Sequence, residues 1–329
     1  MTAKSVGVRA ELASTGEVGV LLPLLGDYHA HLQLIDIEEL ASGRSRHGQL
    51  GFVLDLGGAP LTAQFHADTL ADTVTVGFAG QFLSAPGGYP SDRSWAPAGS
   101  VRFVSSADEA AAAVGEQLLG GASVIKVTLH ADAGPVFDLE TLEAICTVAH
   151  RSRVVVVAHA EGAGMTELAL NGGVDVLAHT PFTESVKRDV LEGCIERGMA
   201  WISTFDIHGY GSPDAEQSLA LGYAMDNAWR FAEAGGQMLY GTDLGNGPVP
   251  VGINSREIEL LHEIGLDAEA LLASMSGDWL TRQTGVKLPS SRGSFVAVDE
   301  DSTGSADDLI AALTRIRTIS HEELVSYDD

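Results

Sequence analysis

Two histidines, His29 and His31, stand two positions apart at the end of the apolar run formed by residues 20–25. Because successive side chains of a β-strand point to opposite faces, this spacing directs both imidazoles to the same side. Two neutral imidazoles that converge at a strand end can chelate a divalent metal ion. The pair alone is equally compatible with a structural role, so its interpretation depends on what the rest of the chain supplies.

Four further polar residues lie in, or at the end of, other strand-like runs: Lys126, His159, His179 and Asp243. A lysine within the run Val-Ile-Lys-Val is costly to bury as a free cation. Carbamylation by CO₂ would turn its amine into an anionic carboxylate that can bridge two metals. The alternative for Lys126 is a buried ion pair with Asp243 or Glu161.

The elements that must position these side chains are eight apolar, strand-like runs separated by segments with helical periodicity. The runs are residues 20–25, 50–56, 73–79, 123–130, 153–159, 174–179, 199–205 and 237–243. Near-continuous apolar strands indicate burial on both faces, as in a parallel sheet covered by helices. Eight such β–α units predict a closed (β/α)8 TIM barrel, whose strands end at the catalytic face. An open doubly wound sheet is the alternative, but its usual Gly-rich phosphate loop is missing after the first strand.

Five different motifs occur in this order in or after the strand-like runs: Asp27-Tyr-His29-Ala-His31-Leu, Val124-Ile-Lys126-Val, Ala158-His159-Ala-Glu, Val176-Leu-Ala-His179 and Gly241-Thr-Asp243. In type, order and strand placement they resemble the amidohydrolase superfamily of metal-dependent hydrolases. The resemblance is closer to its imidazolonepropionase-like and prolidase-like branch, and it covers residues 18–285. Members of this superfamily are built on a (β/α)8 barrel.

The resemblance implies a binuclear centre with zinc as the first candidate and cobalt, manganese or iron as alternatives. Its ligands would be His29, His31 and Asp243 for the buried metal, His159 and His179 for the second, and carbamylated Lys126 between them. A hydroxide between the metals would attack a C–N (amide) bond of a small cyclic or peptide-like substrate. Asp243 would act as the catalytic residue that takes the proton and delivers it to the leaving nitrogen.

Other functions remain open for the same set of residues. The same hydroxide would attack lactones, esters or phosphotriesters, and a deaminase is a further alternative. A rival from another class is a non-catalytic barrel that binds metal. Neither a P-loop nor a Gly-x-Ser-x-Gly elbow occurs, which argues against the commonest phosphoryl-transfer and serine-hydrolase sites.

The candidates for substrate contact are His130, His208, Tyr210, Arg93 and Tyr89. His208 and Tyr210 follow the seventh strand, and His130 lies four residues beyond Lys126. Arg93 and Tyr89 belong to the long irregular stretch 81–101, which we interpret as a substrate loop because loops of this length in compact domains are usually functional or disordered.

The formal net charge of −26 argues against nucleic acid or an anionic membrane as a partner, since both require a basic surface. We therefore expect a small-molecule substrate. No apolar stretch has the length of a membrane span, and the first residues lack the apolar core of a signal peptide, so a cytoplasmic location is expected.

The terminal segments, residues 1–17 and 286–329, are interpreted as the remnant of a flanking β-sandwich plus an acidic tail. Fewer than about twenty residues precede the first predicted strand, so this sandwich is expected to be reduced or absent. A shortened sandwich would leave apolar barrel surface for a partner subunit, which makes a homo-oligomer possible.

Overall fold

The computed structural model describes residues 7–42, 47–297 and 306–325. Within these residues the strands are β1 (Val8–Glu11), β2 (Val18–Leu22), β3 (Gly26–Ala30), β4 (Phe52–Asp55), β5 (Thr75–Phe78), β6 (Phe82–Ser84), β7 (Val101–Phe103), β8 (Ile125–His130), β9 (Val156–Glu161), β10 (Val176–Leu177), β11 (Ala200–Ile202), β12 (Gln237–Leu239), β13 (Arg292–Ala297) and β14 (Arg317–Ser320). The α-helices are α1 (Ile37–Ala41), α2 (Pro60–Leu70), α3 (Ala110–Leu119), α4 (Leu139–Arg151), α5 (Met165–Gly172), α6 (Arg188–Glu196), α7 (Ala215–Glu233), α8 (Ser255–Glu263), α9 (Ala268–Met275), α10 (Asp278–Thr284) and α11 (Ala306–Leu313).

Two parallel sheets, with helices between most of their successive strands, make up most of the described chain. The larger has seven strands in the order β12-β11-β10-β9-β8-β6-β7, and the smaller has three in the order β3-β4-β5. The central strands are buried at nearly every position, as in β9, where the stretch 156–158 is fully inaccessible. This all-round burial is what the near-continuous apolar runs predicted.

The two parallel sheets adjoin each other at two places. At one, Ala30 and Leu244 form a parallel bridge, and the backbone N–H of Tyr28 donates to the carbonyl of Tyr240 at 3.0 Å. At the other, the N–H of Ser123 donates to the carbonyl of the last residue of β5 at 2.8 Å. The ladders of the described residues do not run round one closed ring, so the structure confirms a parallel α/β fold of barrel-like order rather than full closure.

Side-chain caps begin several of the long helices. Asp138 accepts from a backbone N–H in the first turn of α4, and Asp214 forms a capping box with Gln217 at the start of α7. Such caps satisfy N–H groups that a helix leaves free at its start. The helical periodicity predicted between the strand-like runs is confirmed, for example by α4 and α7. Among the described helices, none combines the length and the apolar character that a membrane span requires.

The prediction that residues 20–25 form the first strand of the parallel array is wrong. That run lies largely in β2, which pairs antiparallel with β1 and β13, and the parallel array starts at β3. The stretch 81–101 is also not wholly irregular, because β6 occupies its first residues and pairs with β8.

The two ends of the described chain form a third, antiparallel sheet in the order β1-β2-β13-β14. Its core consists of Leu12, Phe295 and Ile319, all buried. The N–H of Leu25 donates to the hydroxyl of Ser294 at 3.0 Å and thereby ties this sheet to the start of β3. The flanking sheet thus includes residues 18–22, which were predicted to belong to the barrel. Residues 298–305 and 326–329 of the predicted acidic tail lie outside the described residues.

Candidate active site

The six residues predicted to bind metal line one cavity of about 320 Å³ near the C-terminal ends of the parallel strands. These residues are His29, His31, Lys126, His159, His179 and Asp243. They come from β3, β8 and β9 and from the segments that follow β3, β10 and β12. Polar residues that lie in or directly after five parallel strands are thus brought to one place, as the strand order predicted.

Three of these residues form a tight buried group. The Nε2 atoms of His29 and His31 lie 3.4 Å from each other and 3.2 and 3.3 Å from Oδ1 of Asp243. One ligand atom from each residue lies within 4.8 Å of the others, which is compatible with a shared metal ion. Oδ1 of Asp243 is buried and accepts no hydrogen bond.

The far side of each imidazole is held by the backbone or by a hydroxyl. Nδ1 of His29 lies 2.8 Å from the carbonyl of Ala178, and Nδ1 of His31 lies 3.1 Å from that of Gly57. Because a carbonyl oxygen only accepts, Nδ1 carries the proton in both rings and Nε2 presents its lone pair to the cavity. This is the arrangement by which proteins orient histidine ligands.

His179 is oriented by a hydroxyl, since its Nδ1 lies 2.9 Å from Oγ1 of Thr204. Burial lowers the pKa of both His179 and His29 well below the ordinary value. Burial therefore favours the neutral form of both rings, which is the form that binds a metal.

Asp243 is held in an uncommon backbone conformation with φ of +56°, and Thr204 has φ of +48°. Left-handed non-glycine residues cost about 1–3 kcal/mol and cluster at functional sites. Burial alone would raise the pKa of Asp243, but the neighbouring histidines, His29 foremost, hold it well below its usual range. Asn246 donates from Nδ2 to Oδ2 of Asp243 at 2.8 Å, so only Oδ1 is left without a donor.

Asp27 links β3, which carries His29, to the segment after β12, which carries Asp243. This role was not predicted from the sequence. Its Oδ1 accepts from the backbone N–H of His29 at 2.8 Å and of Thr242 at 3.1 Å. Its Oδ2 accepts from the hydroxyl of Thr242 at 2.6 Å. One buried side chain thereby holds the backbone of the predicted ligand His29 and of Thr242, which precedes the predicted ligand Asp243.

Lys126 is only 1% exposed and, among the described residues, forms no ion pair. The basic side chains close to the carboxylates of Asp243 and Glu161 are histidines, so the predicted alternative of a buried lysine–carboxylate pair is not observed. Burial lowers the pKa of the Lys126 amine to about 7. A substantial fraction of the amine is then neutral near physiological pH, which is the nucleophilic form that reacts with CO₂.

A second cluster surrounds Glu161, which was considered only as an ion-pair partner of Lys126. Its Oε2 lies 2.9 Å from Nε2 of His159 and 3.2 Å from Nδ1 of His130. The three residues also have the spacing of a metal-binding group. Glu161 stands two positions after His159 in β9, so the i, i+2 rule applied to His29 and His31 would have found it.

Three of the five predicted substrate contacts line the cavity, namely Tyr89, His208 and Tyr210. The other two, His130 and Arg93, do not, and each instead contacts Tyr89. The His130 and Tyr89 rings lie 4.9 Å apart, and the Arg93 guanidinium is 5.6 Å from the Tyr89 ring centre. The substrate role of these two residues stays a prediction.

Aromatic rings form much of the remaining cavity wall. Tyr89 stacks on His159 with ring centres 4.8 Å apart, and Phe182 lies 4.3 Å from His208. Phe82 and Trp95 complete this wall. Phe82 and Phe182 were not predicted to lie here, since aromatic residues are more often part of a core than of a binding site.

Comparison with known proteins gives matches among solved structures alone. No protein-family model matches the chain, and no curated protein sequence matches it. A Xaa-Pro dipeptidase with methionine bound in its active site is 18% identical, with a TM-score of 0.71 over 93% of this chain and 86% of that chain. The A. niger ochratoxinase is 18% identical, with a TM-score of 0.68 over 89% and 80%. A prolidase complexed with N-methylphosphonate-L-proline is 17% identical, with a TM-score of 0.67 over 94% and 87%.

These similarities establish the fold. The chain shares it, over most of its length, with structures that also include proteins described as amidohydrolases. The resemblance inferred from the five sequence motifs is thus confirmed at the level of the fold.

Proposed function

We propose that this chain is a metal-dependent hydrolase of the amidohydrolase superfamily that cleaves an amide C–N bond in a small cyclic or peptide-like substrate. In this proposal the two parallel sheets are parts of one (β/α)8 barrel. The observation that carries it is the convergence of four histidines, Lys126 and Asp243 on one cavity. A structural role in the core could explain any one of these residues, but not the presence of all six on the wall of one cavity.

The donor atoms fit a divalent metal on structural grounds. Oδ1 of Asp243 is buried without a hydrogen bond, and the Nε2 lone pairs of His29 and His31 point to it. A buried carboxylate oxygen without a donor is costly unless a cation satisfies it. His159 and His179 would hold a second metal, with zinc the first candidate for both.

Bound divalent metals would make water nucleophilic at neutral pH and polarise the scissile carbonyl. The chain's own contribution to proton transfer would come from Asp243, which is ionised and can accept a proton. Asn246 keeps its carboxylate in place by donating to Oδ2. Asp243 would then deliver the proton to the leaving nitrogen.

Lys126 would join the two halves of the centre as a carbamate. Its support is the position of a nearly inaccessible amine on the cavity wall without a carboxylate partner. Addition of CO₂ to the neutral amine forms the N–C bond and releases one proton, leaving an anionic carbamate. Carbamylation would thus remove a buried cation that has no ion-pair partner and supply an anionic carboxylate, whose charge the metal ions would balance.

The test is the metal content per chain of protein produced with zinc and bicarbonate, compared with a Lys126→Ala variant. We expect two zinc ions per chain in the parent and a clear loss in the variant. The exposed Lys187, which pairs with Glu167 at 2.8 Å, supplies the control Lys187→Ala, with unchanged zinc. Equal metal content in all three proteins would contradict the bridging role.

A screen of amides, lactones and phosphotriesters with the metal-loaded protein then tests the reaction class. Preference for amides supports the proposal, whereas turnover of lactones or phosphotriesters alone would reassign the reaction. A protein that binds zinc and hydrolyses none of them would be a non-catalytic metal-binding barrel.

A further inference from the structure

Outside the proposed metal ligands, the wall of the cavity has few charged side chains. Outside the six proposed metal ligands, the acidic or basic side chains among its described lining residues are Glu161, a carboxylate, and His208, an imidazole. Among the residues that the structure describes, no arginine lines the cavity and the only lysine on its wall is Lys126. A substrate carboxylate would therefore meet no cationic side chain apart from the metal centre itself.

The nearest candidates for a cationic contact are engaged or neutral. Arg93 lies against the Tyr89 ring and pairs with Asp92 at 3.5 Å, and it does not line the cavity. His208 does line it, but burial lowers the pKa of its imidazole to about 4. At neutral pH His208 can exchange hydrogen bonds with a substrate without carrying a charge.

The apolar part of the wall is aromatic and lies beside the proposed ligands. The Trp95 and Phe82 rings are 6.2 and 5.7 Å from His31, and Phe182 is 6.0 Å from His179. A flat apolar group placed next to the scissile bond would pack against these rings. Aromatic pairs gain about 0.5–1.5 kcal/mol beyond the area that they bury.

We propose that the substrate carries an aromatic or similarly apolar group beside the scissile amide and no free carboxylate, and that Glu161 excludes carboxylated analogues. The inference rests on the proposed amide hydrolysis and names its substrate class. A substrate carboxylate would lie near a like charge with no cationic side chain to pair with it, and such an arrangement is costly in a partly buried site.

The first test compares N-benzoyl-L-alaninamide with N-benzoyl-L-alanine, which differ by one negative charge. The rate to be measured is the release of benzoate, because both compounds contain the benzoyl–nitrogen amide bond. With the zinc-loaded parent protein we expect kcat/KM for this release to favour the carboxamide by about tenfold or more. An equal rate, or a preference for the carboxylate, would overturn the inference.

Binding of the same two compounds to Asp243→Asn protein separates this inference from the proposed function, because it needs no turnover. Since Asp243 is itself a proposed metal ligand, elemental analysis must first show that the variant holds as much zinc as the parent. Calorimetry should show tighter binding of the carboxamide by about tenfold or more. If that result comes with no hydrolysis by the parent, the substrate class stands and the proposed hydrolysis fails. Tighter or equal binding of the carboxylate, or no binding of either compound, would overturn the inference.

A Glu161→Gln variant tests the residue that we hold responsible. The glutamine removes the charge at nearly constant size, so the carboxamide-to-carboxylate ratio should fall by about tenfold. The matched control is Glu167→Gln on α5, where the glutamate is paired with Lys187 at the surface and the ratio should not change. An unchanged ratio in Glu161→Gln would show that Glu161 does not exclude carboxylates.

Discussion

Asp243 is the residue on which the proposed chemistry depends most directly. Replacing it by asparagine keeps the size of the side chain but removes the charge and the capacity to take a proton. We expect Asp243→Asn to lower kcat by about 100- to 10,000-fold, the range for a lost general acid–base group. Steady-state hydrolysis of an amide found in the substrate screen measures the effect.

The control for this variant is Asp214→Asn. Asp214 caps α7 at the surface, and asparagine is an equally good N-cap, so activity and stability should both be retained. Activity in Asp243→Asn close to that of this control would contradict the assigned proton transfer. A circular dichroism spectrum equal to that of the parent shows that the fold is preserved.

Asp27 is expected to act on the metal centre through the residues that it holds. Asp27→Ala leaves the backbone N–H groups of His29 and Thr242 without their buried acceptor, which costs about 1–3 kcal/mol for each. Because these groups position two predicted ligands, we expect zinc affinity to fall by about 10- to 100-fold. Titration with a competing chelator and urea denaturation measure the two effects.

Thr242→Val provides the graded comparison for Asp27. It removes only the hydroxyl that donates to Oδ2 and keeps both backbone contacts. Its losses of zinc affinity and of unfolding free energy should both be smaller than those of Asp27→Ala. Unchanged zinc affinity in Asp27→Ala would restrict Asp27 to a purely structural role.

The proposed ligands could be predicted from the sequence because each is a metal-binding residue type at the end of an apolar run. The hydrogen bonds that orient them could not, since Ala178 and Gly57 contribute only backbone carbonyls. Every residue has a backbone carbonyl, so the type of a residue does not show whether its carbonyl accepts such a hydrogen bond. The long stretch 81–101 likewise does not specify which of its side chains turn toward the cavity, and Arg93 is not among the lining residues.

At the scale of elements, a buried polar network supports the turn after β11 that carries His208. Glu257 of α8 accepts from the backbone N–H groups of Phe205 and Asp206 at 2.9 and 2.8 Å. The carboxylate of Asp206 accepts from the amide of Asn254 at 2.8 Å. The loop geometry at the cavity therefore depends on a helix that does not itself reach it.

Burial raises the pKa of Glu257 to about 8 from the ordinary value of 4.5. Between these pH values the folded protein holds a proton that the unfolded chain has released. The free energy of unfolding therefore falls as the pH rises through this interval, by up to about 1.4 kcal/mol per pH unit from this group. A Glu257→Gln variant has no such proton and should lack this component.

Urea denaturation of both proteins at a series of pH values between about 5 and 8 tests this expectation. The stability of the parent relative to Glu257→Gln should decline steadily across the series. A constant or rising difference would contradict the raised pKa. The comparison is internal, so other titrating groups contribute equally to both proteins.

The apolar runs predicted most of the parallel strands but misplaced the first. The run over 20–25 is apolar because β2 packs in the flanking sheet, whereas β3 contains Asp27 and His29 and looks polar. Every residue of β3 is nonetheless buried, because its polar groups are bonded inside the protein. Hydrophobic pattern alone does not distinguish such a strand from a loop.

At the scale of the whole molecule, the flanking sheet is joined to the parallel sheets by packing and by hydrogen bonds. Val296 of β13 belongs to the main hydrophobic cluster, and Ser294 of the same strand accepts from the N–H of Leu25. The pairing of β2 with β13 brings together segments some 270 residues apart, as the 269-residue separation of Leu25 and Ser294 shows. Local sequence patterns carry no signal for a pairing at that distance.

This connection predicts that damage to the flanking sheet destabilises the whole described fold in one transition. Phe295 is fully buried in β13, so Phe295→Ala should lower the free energy of unfolding by about 3–5 kcal/mol. Val8→Ala is the control on the edge strand β1, where the side chain is 71% exposed and the change should stay within about 0.5 kcal/mol.

Two probes decide whether the unfolding is cooperative. The four tryptophans of the chain, residues 95, 201, 229 and 279, all lie outside the flanking sheet, whereas circular dichroism reports on every element. Because the two parts share a core, tryptophan fluorescence and circular dichroism should show the same lowered midpoint in Phe295→Ala. A fluorescence midpoint that stays at the value of the parent would mean that the flanking sheet unfolds by itself. The proposed metal centre would then be held by the parallel sheets alone.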